Sequence, residues 1–399
     1  MRIPVYIWFP SFCTLGLGFM QMNIPPLSRQ VMALLDVDFG GLATLLSSMF
    51  WTHALAQIPA GIFLDKLGAQ RSLYLSFALS LLGTLSPLLA PESLFLAILM
   101  RMVLGVSTAF LFLGAVKVLQ VLAPPDRVPR AQGIQGACFC IGTMLPYAIL
   151  PRLGEQAWFW AYCIPAGLSL LALISMRCLP QAPFAPSARP APQARLAGCA
   201  QMLATTRKII AFKPLWALGA FHGIAYAAMN NMGNWLPSIL ADQEGSGNAD
   251  SWALATGALL FMAVFARAFG GELLRWLSRI QMVSAAIFGI AVSFLLMGIS
   301  SLPLLSFSLG SILVLFSGIT YGSLFSLTGT LVEPSSTGTA IGVMNLTANI
   351  ANIGIILILG NGRELTGSFS TSFFIISLGS FAVWFWGSRL LQRSCPIGR

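Results

Sequence analysis

The sequence predicts an all-α membrane protein with twelve spanning helices arranged in two related six-helix bundles. Three observations lead to this fold class: an apolar composition, twelve long apolar segments, and landmark residues that recur about 210 positions apart. With 57% hydrophobic and 9% charged residues, the chain has far fewer charges than the roughly 25% usual in a soluble domain. Lipid must therefore solvate much of its surface.

Twelve apolar segments are long enough to cross a bilayer, which requires about 20 residues for a hydrocarbon core of about 30 Å. Because their number is even, the two termini lie on the same side. The first segment has full length and no small-residue cleavage site, so we expect it to be retained as a helix. The segments are 5–27, 39–61, 72–90, 94–118, 131–150, 157–178, 214–240, 252–274, 281–299, 304–331, 338–359 and 370–391.

Basic residues are distributed unequally between the loops on the two sides. Loops on the side of the termini contain sixteen Lys and Arg residues, whereas the opposite loops contain three, Arg29, Arg152 and Arg363. Since basic residues near helix ends resist translocation, both termini are predicted to be cytoplasmic, in a plasma membrane of the bacterial inner-membrane type. The net charge of +10 is then a topology signal, and no nucleic-acid partner is expected.

A proline-rich, basic stretch at 179–213 interrupts the chain and predicts a cytoplasmic linker between two bundles, 1–178 and 214–399. The bundles resemble distant copies of each other, since Gly133 in the first corresponds to Gly342 in the second. Such duplication is typical of transporters that bind substrate between two rocking bundles.

A short charged turn connects the second and third segments, and it contains Gly61, Asp65, Lys66, Gly68 and Arg71. The run resembles the loop between helices 2 and 3 of the major facilitator superfamily, written G-x-x-x-D-[RK]-x-G-x-[RK]-[RK]. This resemblance implies the twelve-helix fold of that superfamily and a secondary transporter. It also implies that the turn controls conformational change through charge pairing rather than through contact with substrate.

The match to this loop pattern is incomplete. Gln70 replaces one of the expected bases in the first copy. In the second half, Arg267 and Gly271 keep the R-x-x-G-G pattern that begins the family motif, but Arg275 occupies the position that corresponds to Asp65. We therefore expect the charge pairing that controls conformational change to differ between the two halves.

Arg101 is predicted to lie about 10 Å inside the fourth span, given a rise of about 1.5 Å per residue. Its run, with Gly105 and Ala109, resembles the R-x-x-x-G-x-x-x-A pattern of the superfamily's fourth helix, where the arginine is associated with substrate binding or proton coupling. No Asp or Glu lies in the middle of any predicted span, so the arginine would favour an anionic partner. The alternative is an arginine that snorkels to the interface or bonds a backbone carbonyl.

Two histidines, His53 and His222, are candidates for proton coupling, because carboxylates, the usual intramembrane proton carriers, are absent from the middle of the spans. Gln57 follows His53 by one helical turn, and Tyr226 follows His222 on the same face. His53 is preferred, since Gln57 can bond either protonation state of the ring. Alternatively, each histidine is only bonded to a neighbouring helix and does not titrate during transport.

Polar side chains in the first, seventh and eleventh spans form the predicted binding belt. These helices line the central cavity in the superfamily that the chain resembles, although amides that only join helices are an alternative. The residues are Gln21, Asn23, Arg101, Tyr226, Asn230, Asn234, Asn345 and Asn349. The amides and glycine of the seventh span also predict a bent or unwound helix there.

We therefore predict a monomeric secondary transporter for a small polar solute with a carboxylate, which works by alternating access, with protons as the expected coupling ion and lipid as its surroundings. No cofactor, metal site or enzymatic activity is expected, since no acid pair, metal cluster or activated nucleophile is apparent. The alternatives are a multidrug or metabolite efflux antiporter and a lipid flippase. The fifth-helix signature of drug exporters is only partly met, because Pro146 stands where its last glycine should be and Tyr147 follows.

Overall fold

The computed structural model describes residues 4–90, 92–124, 127–179, 207–208, 211–245, 249–332 and 337–394. Within helices, the side chains of Asp65 and Lys66 and the surroundings of Gly271 lie outside this description, as does most of the predicted linker. Every regular element in the described ranges is helical, which confirms the all-α prediction.

Twelve long helices account for most of the described chain. They are α1 (Val5–Met22), α2 (Phe39–Leu67), α3 (Ala69–Leu85), α4 (Leu94–Leu122), α5 (Val128–Ile149), α6 (Ala157–Ser175), α7 (Lys213–Glu244), α8 (Ala249–Leu273), α9 (Arg279–Ile299), α10 (Pro303–Leu331), α11 (Thr337–Thr366) and α12 (Ser370–Ser394). Among the described residues, six helical stretches are long and apolar enough to cross a membrane by length and composition alone. The molecule is an integral membrane protein.

An additional short helix, Ser28–Leu35, lies between α1 and α2 and was not predicted. The first apolar segment was expected to run to residue 27, but α1 ends at Met22 and a short 3₁₀ turn at Pro25–Leu27 follows. Paired prolines favour the first turn of a helix and cannot continue a preceding one, so they end α1 and start the short helix.

The packing of the first six helices, the N half, recurs in the last six, the C half. In the N half α1 packs on α5, α2 on α4, and α3 on α4 and α6. Six helices later the same pairs appear, with α7 on α11, α8 on α10, and α9 on α10 and α12. The two contacts between the halves are related by the same shift of six helices. In one of them α2 packs on α11, and in the other α8 packs on α5. An internal pseudo-twofold relation of this kind is expected of a duplicated transporter fold.

Two glycines bring α1 and α5 into backbone contact. A Cβ atom at Gly142 of α5 would lie 2.1 Å from the carbonyl oxygen of Leu15, and one at Gly18 of α1 would lie 2.4 Å from that of Phe139. Only glycine fits at these two positions. Small residues allow the same close approach of helices in other membrane proteins.

The helix α7 runs for 32 residues without loss of helical structure and passes through Pro237, so the prediction of an unwound seventh helix was wrong. The amides expected to weaken the helix bond to its own backbone instead. Asn230 donates to the Tyr226 carbonyl at 3.2 Å, and Asn231 donates to the Ala227 carbonyl at 2.9 Å. These amides therefore satisfy part of their hydrogen bonding inside the helix.

Candidate functional site

The side of the bundle where α1 begins and α12 ends is called the terminal side, and the opposite side is called the far side. On the far side, three aromatic rings pack between the halves. Phe39, at the start of α2, lies 6.1 Å from Trp235 of α7 and 5.8 Å from Phe369, measured between ring centroids. Trp235 and Phe369 lie 6.0 Å apart. These rings close the far side.

Arg363, near the end of α11, reinforces this closure. Its Nε atom pairs with the Asp242 carboxylate at 2.7 Å, and its guanidinium lies 5.2 Å from the centroid of Phe39. The second contact reaches from the C half to the N half. Both side chains of the ion pair remain about a quarter exposed, so solvent screens the ion pair in part.

Deeper in the bundle, the hydroxyl of Tyr147 on α5 donates a hydrogen bond to the carbonyl of Gly233 on α7. Both residues are buried. In an unbroken helix the Gly233 carbonyl would accept from the backbone N–H of residue 237, but Pro237 has none. Tyr147 therefore supplies, from the other half, the donor that the helix lacks.

A pocket lies on the terminal side of this contact, among α7, α8 and α10. The space between its lining atoms, counted out to open solvent, is about 250 Å³. Its lining residues are His222, Ala225, Tyr226, Met229, Arg267, Ser317, Thr320 and Tyr321. These described residues include one permanent cation and several aromatic rings, and none of them carries a carboxylate.

Arg267 is the charged group of this pocket, although its sequence motif predicted a role in the conformational loop. Its guanidinium lies 4.2 Å from the ring centroid of Tyr321 on α10. Its Nη1 atom donates to the Gly136 carbonyl of α5, in the other half, at 3.2 Å. Its Nε atom is buried and has no hydrogen-bond partner among the described residues. The structure thus places Arg267 where a bound anion could use it.

Three predicted polar residues lie next to residues of the lining but are not themselves part of it. Gln21 of α1 and Asn230 of α7 lie beside the Tyr226 hydroxyl. Asn345 of α11 lies beside His222, which also faces Arg267. The structure therefore brings six of the predicted site residues together, namely Gln21, His222, Tyr226, Asn230, Arg267 and Asn345.

Arg101 belongs to a different cluster, inside the N half. Its side chain is fully buried. Nη1 donates to Asn23 Oδ1 at 3.2 Å, and Nη2 lies 3.7 Å from the sulfur of Met49. Asn23 in turn donates to the Ala161 carbonyl of α6 at 2.9 Å, and Tyr162 lies nearby. The described contacts of Arg101 therefore fix the end of α1 against α4 and α6.

His53 is held in a closed chain of hydrogen bonds between α2 and α4. Thr108 donates its hydroxyl proton to the Gly105 carbonyl at 2.9 Å, so it accepts from His53 Nδ1, 3.0 Å away. His53 Nε2 then accepts from Gln57 Nε2 at 2.8 Å. Both ring nitrogens are satisfied in the neutral ring with its proton on Nδ1, a tautomer assigned from this network.

The remaining amides of the predicted belt lie along the contact between α7 and α11. Asn231 donates to Asn352 Oδ1 at 3.0 Å, which joins the two helices. Asn349 donates to the Asn345 carbonyl of its own helix at 2.9 Å. Asn234 is buried, and neither of its amide atoms has a partner among the described residues. The bond between Asn231 and Asn352 stabilises the helix contact, and the structure does not place Asn234 or Asn349 in the lining of the pocket.

The charged turn is shorter than its motif predicted. Helix α2 continues through Asp65 to Leu67, and α3 begins at Ala69. Gly68 makes the reversal with a φ of 86°, a left-handed conformation that favours glycine. Arg71 is exposed and Gly61 is half-buried. The charge pairing predicted for Asp65 and Lys66 involves side chains that lie outside the described part of the structure.

Sequence reasoning missed Tyr321, Phe325 and Tyr147. Tyr321 and Phe325 are one turn apart on α10, and a pair of aromatic residues at that spacing in an otherwise apolar span was an available signal. Tyr147 was noted only as a departure from a drug-exporter motif. Pro237, four residues after Gly233, was the signal for a carbonyl that needs an outside donor. No group of three or more metal-ligating residues occurs within the described ranges.

Comparison with known proteins gives a consistent result. A family model described as Major Facilitator Superfamily matches residues 11–356. "Probable anion transporter 5" of Arabidopsis thaliana is 26% identical over 348 residues, which cover 81% of this chain and 78% of that protein. "Probable anion transporter 6" of Oryza sativa subsp. japonica is 26% identical over 204 residues, 49% of this chain and 47% of that protein.

Two solved structures illustrate the likeness in fold. The crystal structure of a D-xylose-proton symporter superposes with a TM-score of 0.75 at 14% identity, covering 95% of this chain and 97% of that one. An inward-facing, unoccupied bacterial homolog of the human lysosomal transporter Spinster gives a TM-score of 0.76 at 15% identity, with full coverage of both chains. At these identities the likeness concerns the fold alone.

Proposed function

Because this chain belongs to the Major Facilitator Superfamily, we propose that it is a secondary active transporter of a small organic anion that bears a carboxylate. The two halves, 1–178 and 214–399 with a linker at 179–213, would rock about the pocket by alternating access. One observation carries the choice of an anion. Arg267 lines the pocket with a buried Nε atom that has no hydrogen-bond partner in the described part of the chain, and none of the described lining residues is an acid.

An anion completes the hydrogen bonding of this arginine. A carboxylate pairs with a guanidinium in a bidentate, charge-assisted geometry that a neutral solute cannot match. A cationic drug would instead meet Arg267 with like charge. The names of the plant relatives, which call them probable anion transporters, support the same class.

We propose that Gln21, Tyr226, Asn230 and Asn345 contribute to the same site. Gln21 comes from the N half and the other three from the C half, so the site is complete only when the halves are close on the far side. The packed rings of the far side support assignment of the structure to a state that opens toward the terminal side. With both termini cytoplasmic, that state faces the cytoplasm.

Proton coupling is proposed to act through His222 in preference to His53. His222 lines the pocket beside Arg267, so its protonation would add positive charge next to the bound anion. His53 lies in the closed network with Thr108 and Gln57, inside one half. Coupling requires that proton and anion each favour the binding of the other, and proximity in one pocket provides this.

The proposal is tested by counterflow of radiolabelled small carboxylates in proteoliposomes. The wild type is expected to exchange at least one carboxylate, and Arg267→Gln should lose this exchange. Arg279→Gln removes the same charge from an exposed position at the start of α9 and serves as the matched control. Exchange that survives in Arg267→Gln, or exchange of cations or neutral sugars alone, would contradict an anion site at Arg267.

A further inference from the structure

The pocket around Arg267 is walled on one side by aromatic rings. His222 lies 5.9 Å from Tyr226 and 6.5 Å from Tyr321, measured between ring centroids. Phe325 lies behind them, 4.7 Å from Tyr321 and 5.3 Å from His222. Ring separations in this range are those at which aromatic groups attract one another. A flat ring inside the pocket would find partners of the same kind.

One part of the Arg267 guanidinium has no partner in the described part of the chain. Its Nη1 atom is used by the Gly136 carbonyl, whereas Nε is buried without a described partner. Nε and Nη2 form the side edge of a guanidinium, which can hold both oxygens of one carboxylate. The ring of Tyr321 lies 4.2 Å from the guanidinium and holds its plane. A single carboxylate on this edge would complete the hydrogen bonding of Arg267.

The described lining residues offer no charged partner to an ammonium group. The Ser317 hydroxyl donates to the Ala225 carbonyl, and the Thr320 hydroxyl donates to the Ser317 carbonyl at 2.8 Å. Met229 and Ala225 are apolar, and no carboxylate occurs among the described lining residues. An amino acid would therefore leave its ammonium group without a charged partner, at a cost in binding free energy.

We infer that the substrate is a flat aromatic monocarboxylate, with its carboxylate on the side edge of Arg267 and its ring among His222, Tyr226 and Tyr321. This inference rests on the proposed function and names the substrate class of that site. The ring wall distinguishes such a ligand from an aliphatic acid of the same charge and similar volume.

Isothermal titration calorimetry on the purified full chain in detergent micelles tests this, with empty micelles as the blank. The probes are benzoate, cyclohexanecarboxylate, which has the same charge and a similar volume but is not flat, and lactate. Benzoate is expected to bind about three- to tenfold more tightly than cyclohexanecarboxylate, the range that aromatic pairing supplies. Lactate should bind most weakly.

Two variants locate the preference. Tyr321→Leu removes the ring and should abolish most of the difference between benzoate and cyclohexanecarboxylate. Tyr321→Phe keeps the ring and should preserve the difference. Melting temperatures in the same detergent establish that both variants are folded, and the comparison of the two ligands within each variant does not depend on the fraction of active protein.

The outcomes separate the two proposals. If lactate or cyclohexanecarboxylate binds as tightly as benzoate, and Arg267→Gln removes this binding, the aromatic class is wrong while the anion site stands. If benzoate binds equally well to Arg267→Gln, or no carboxylate binds at all, the proposed function falls together with the inference. An unchanged benzoate preference in Tyr321→Leu would also contradict the proposed contact between the ligand ring and Tyr321.

Discussion

The hydroxyl of Tyr147 donates a hydrogen bond to the backbone carbonyl of Gly233, and this bond joins α5 of the N half to α7 of the C half. Pro237 explains why the carbonyl is available, because a proline four residues later cannot donate to it. Helix α7 remains helical through this proline. The proline thus leaves a free carbonyl in α7, and this carbonyl accepts a hydrogen bond from the opposite half.

We expect Tyr147→Phe to destabilise the closed far side without unfolding the protein. Loss of one net hydrogen bond costs about 1 kcal/mol, which shifts an equilibrium between two states about fivefold. Hydrogen-exchange mass spectrometry should show faster exchange in the far-side part of α7. The control is Tyr162→Phe, since the buried hydroxyl of Tyr162 has no partner among the described residues. Equal effects of the two variants would argue against the bond as a latch.

Arg363→Gln should open the far side more readily, because the variant loses both the ion pair with Asp242 and the contact with the ring of Phe39. Each interaction contributes roughly 0.5–1 kcal/mol at a partly exposed site. Maleimide labelling of a single cysteine at position 43, which is buried in α2 against Gly360 of α11, measures this opening in a chain whose native cysteines are replaced.

For this prediction, Arg152→Gln is the matched control. Arg152 is an exposed arginine just after α5 whose described bond goes to the Ala148 carbonyl of the same half, so its loss leaves the contact between halves intact. A labelling rate that rises equally in both variants would assign the effect to general loss of positive charge.

Anion affinity should rise as the pH falls, and His222→Gln should remove this dependence. A protonated His222 adds a charge beside Arg267 and the bound carboxylate, and that charge is lost as the pH rises. The other groups that face His222 are Tyr226 of its own helix, Tyr321 of α10 and Asn345 of α11. Calorimetry at about pH 5.5 and about pH 7.5 measures the difference.

His53→Gln provides the contrast, since His53 is bonded within the N half. It should retain the pH dependence of anion binding. If His53→Gln loses the dependence and His222→Gln keeps it, coupling runs through the network with Thr108 and Gln57.

Arg101→Met is expected to lower anion affinity, but by less than Arg267→Gln. The described contacts of Arg101 are with Asn23, Met49 and Tyr162, so it acts on a bound anion through its charge and by fixing α1. Arg101→Lys keeps the charge and should retain more affinity than Arg101→Met. Calorimetry on the three variants ranks them. A larger loss in Arg101→Met than in Arg267→Gln would move the main anion contact to α4.

Asp65→Asn should slow transport while leaving affinity nearly unchanged. Asp65 lies in the last turn of α2, at the terminal-side end of that helix, so we expect it to act on the balance between conformations. A surface charge pair is worth about 1 kcal/mol or less, enough to shift two balanced states several-fold. Initial rates in proteoliposomes and calorimetric affinity measure the two quantities separately. Lost affinity at a normal rate would contradict this role.

The sequence was sufficient for the fold because hydrophobic length alone identifies spanning helices. Local chemistry was harder to anticipate at α1 and α7. Helix α1 ends at Met22, before Pro25, whereas α7 continues through Pro237. At Pro237 the carbonyl of Gly233 loses its partner in the helix and is bonded by Tyr147 of the other half. A sequence shows that a proline interrupts hydrogen bonding but not which side chain replaces the bond.

The site was predicted in part. The amides and His222 were recognisable because polar groups are costly in a span. Arg267 was assigned to the loop through its motif, and Tyr321 was not considered, since an aromatic residue in a membrane helix carries no polar signal. Their contact at 4.2 Å depends on how α8 and α10 pack, which periodicity does not specify.

The backbone contact between α1 and α5 gives transport a sidedness. Because Gly18 and Gly142 lock these helices together, Gln21 on α1 and Tyr147 on α5 must move as one body. If the two halves separate on the far side, Gln21 would move away from Tyr226, and Tyr147 would lose its hydrogen bond to Gly233 at the same time. We expect the anion to meet a less complete site from the far side, so half-saturation there should require a higher concentration than on the terminal side.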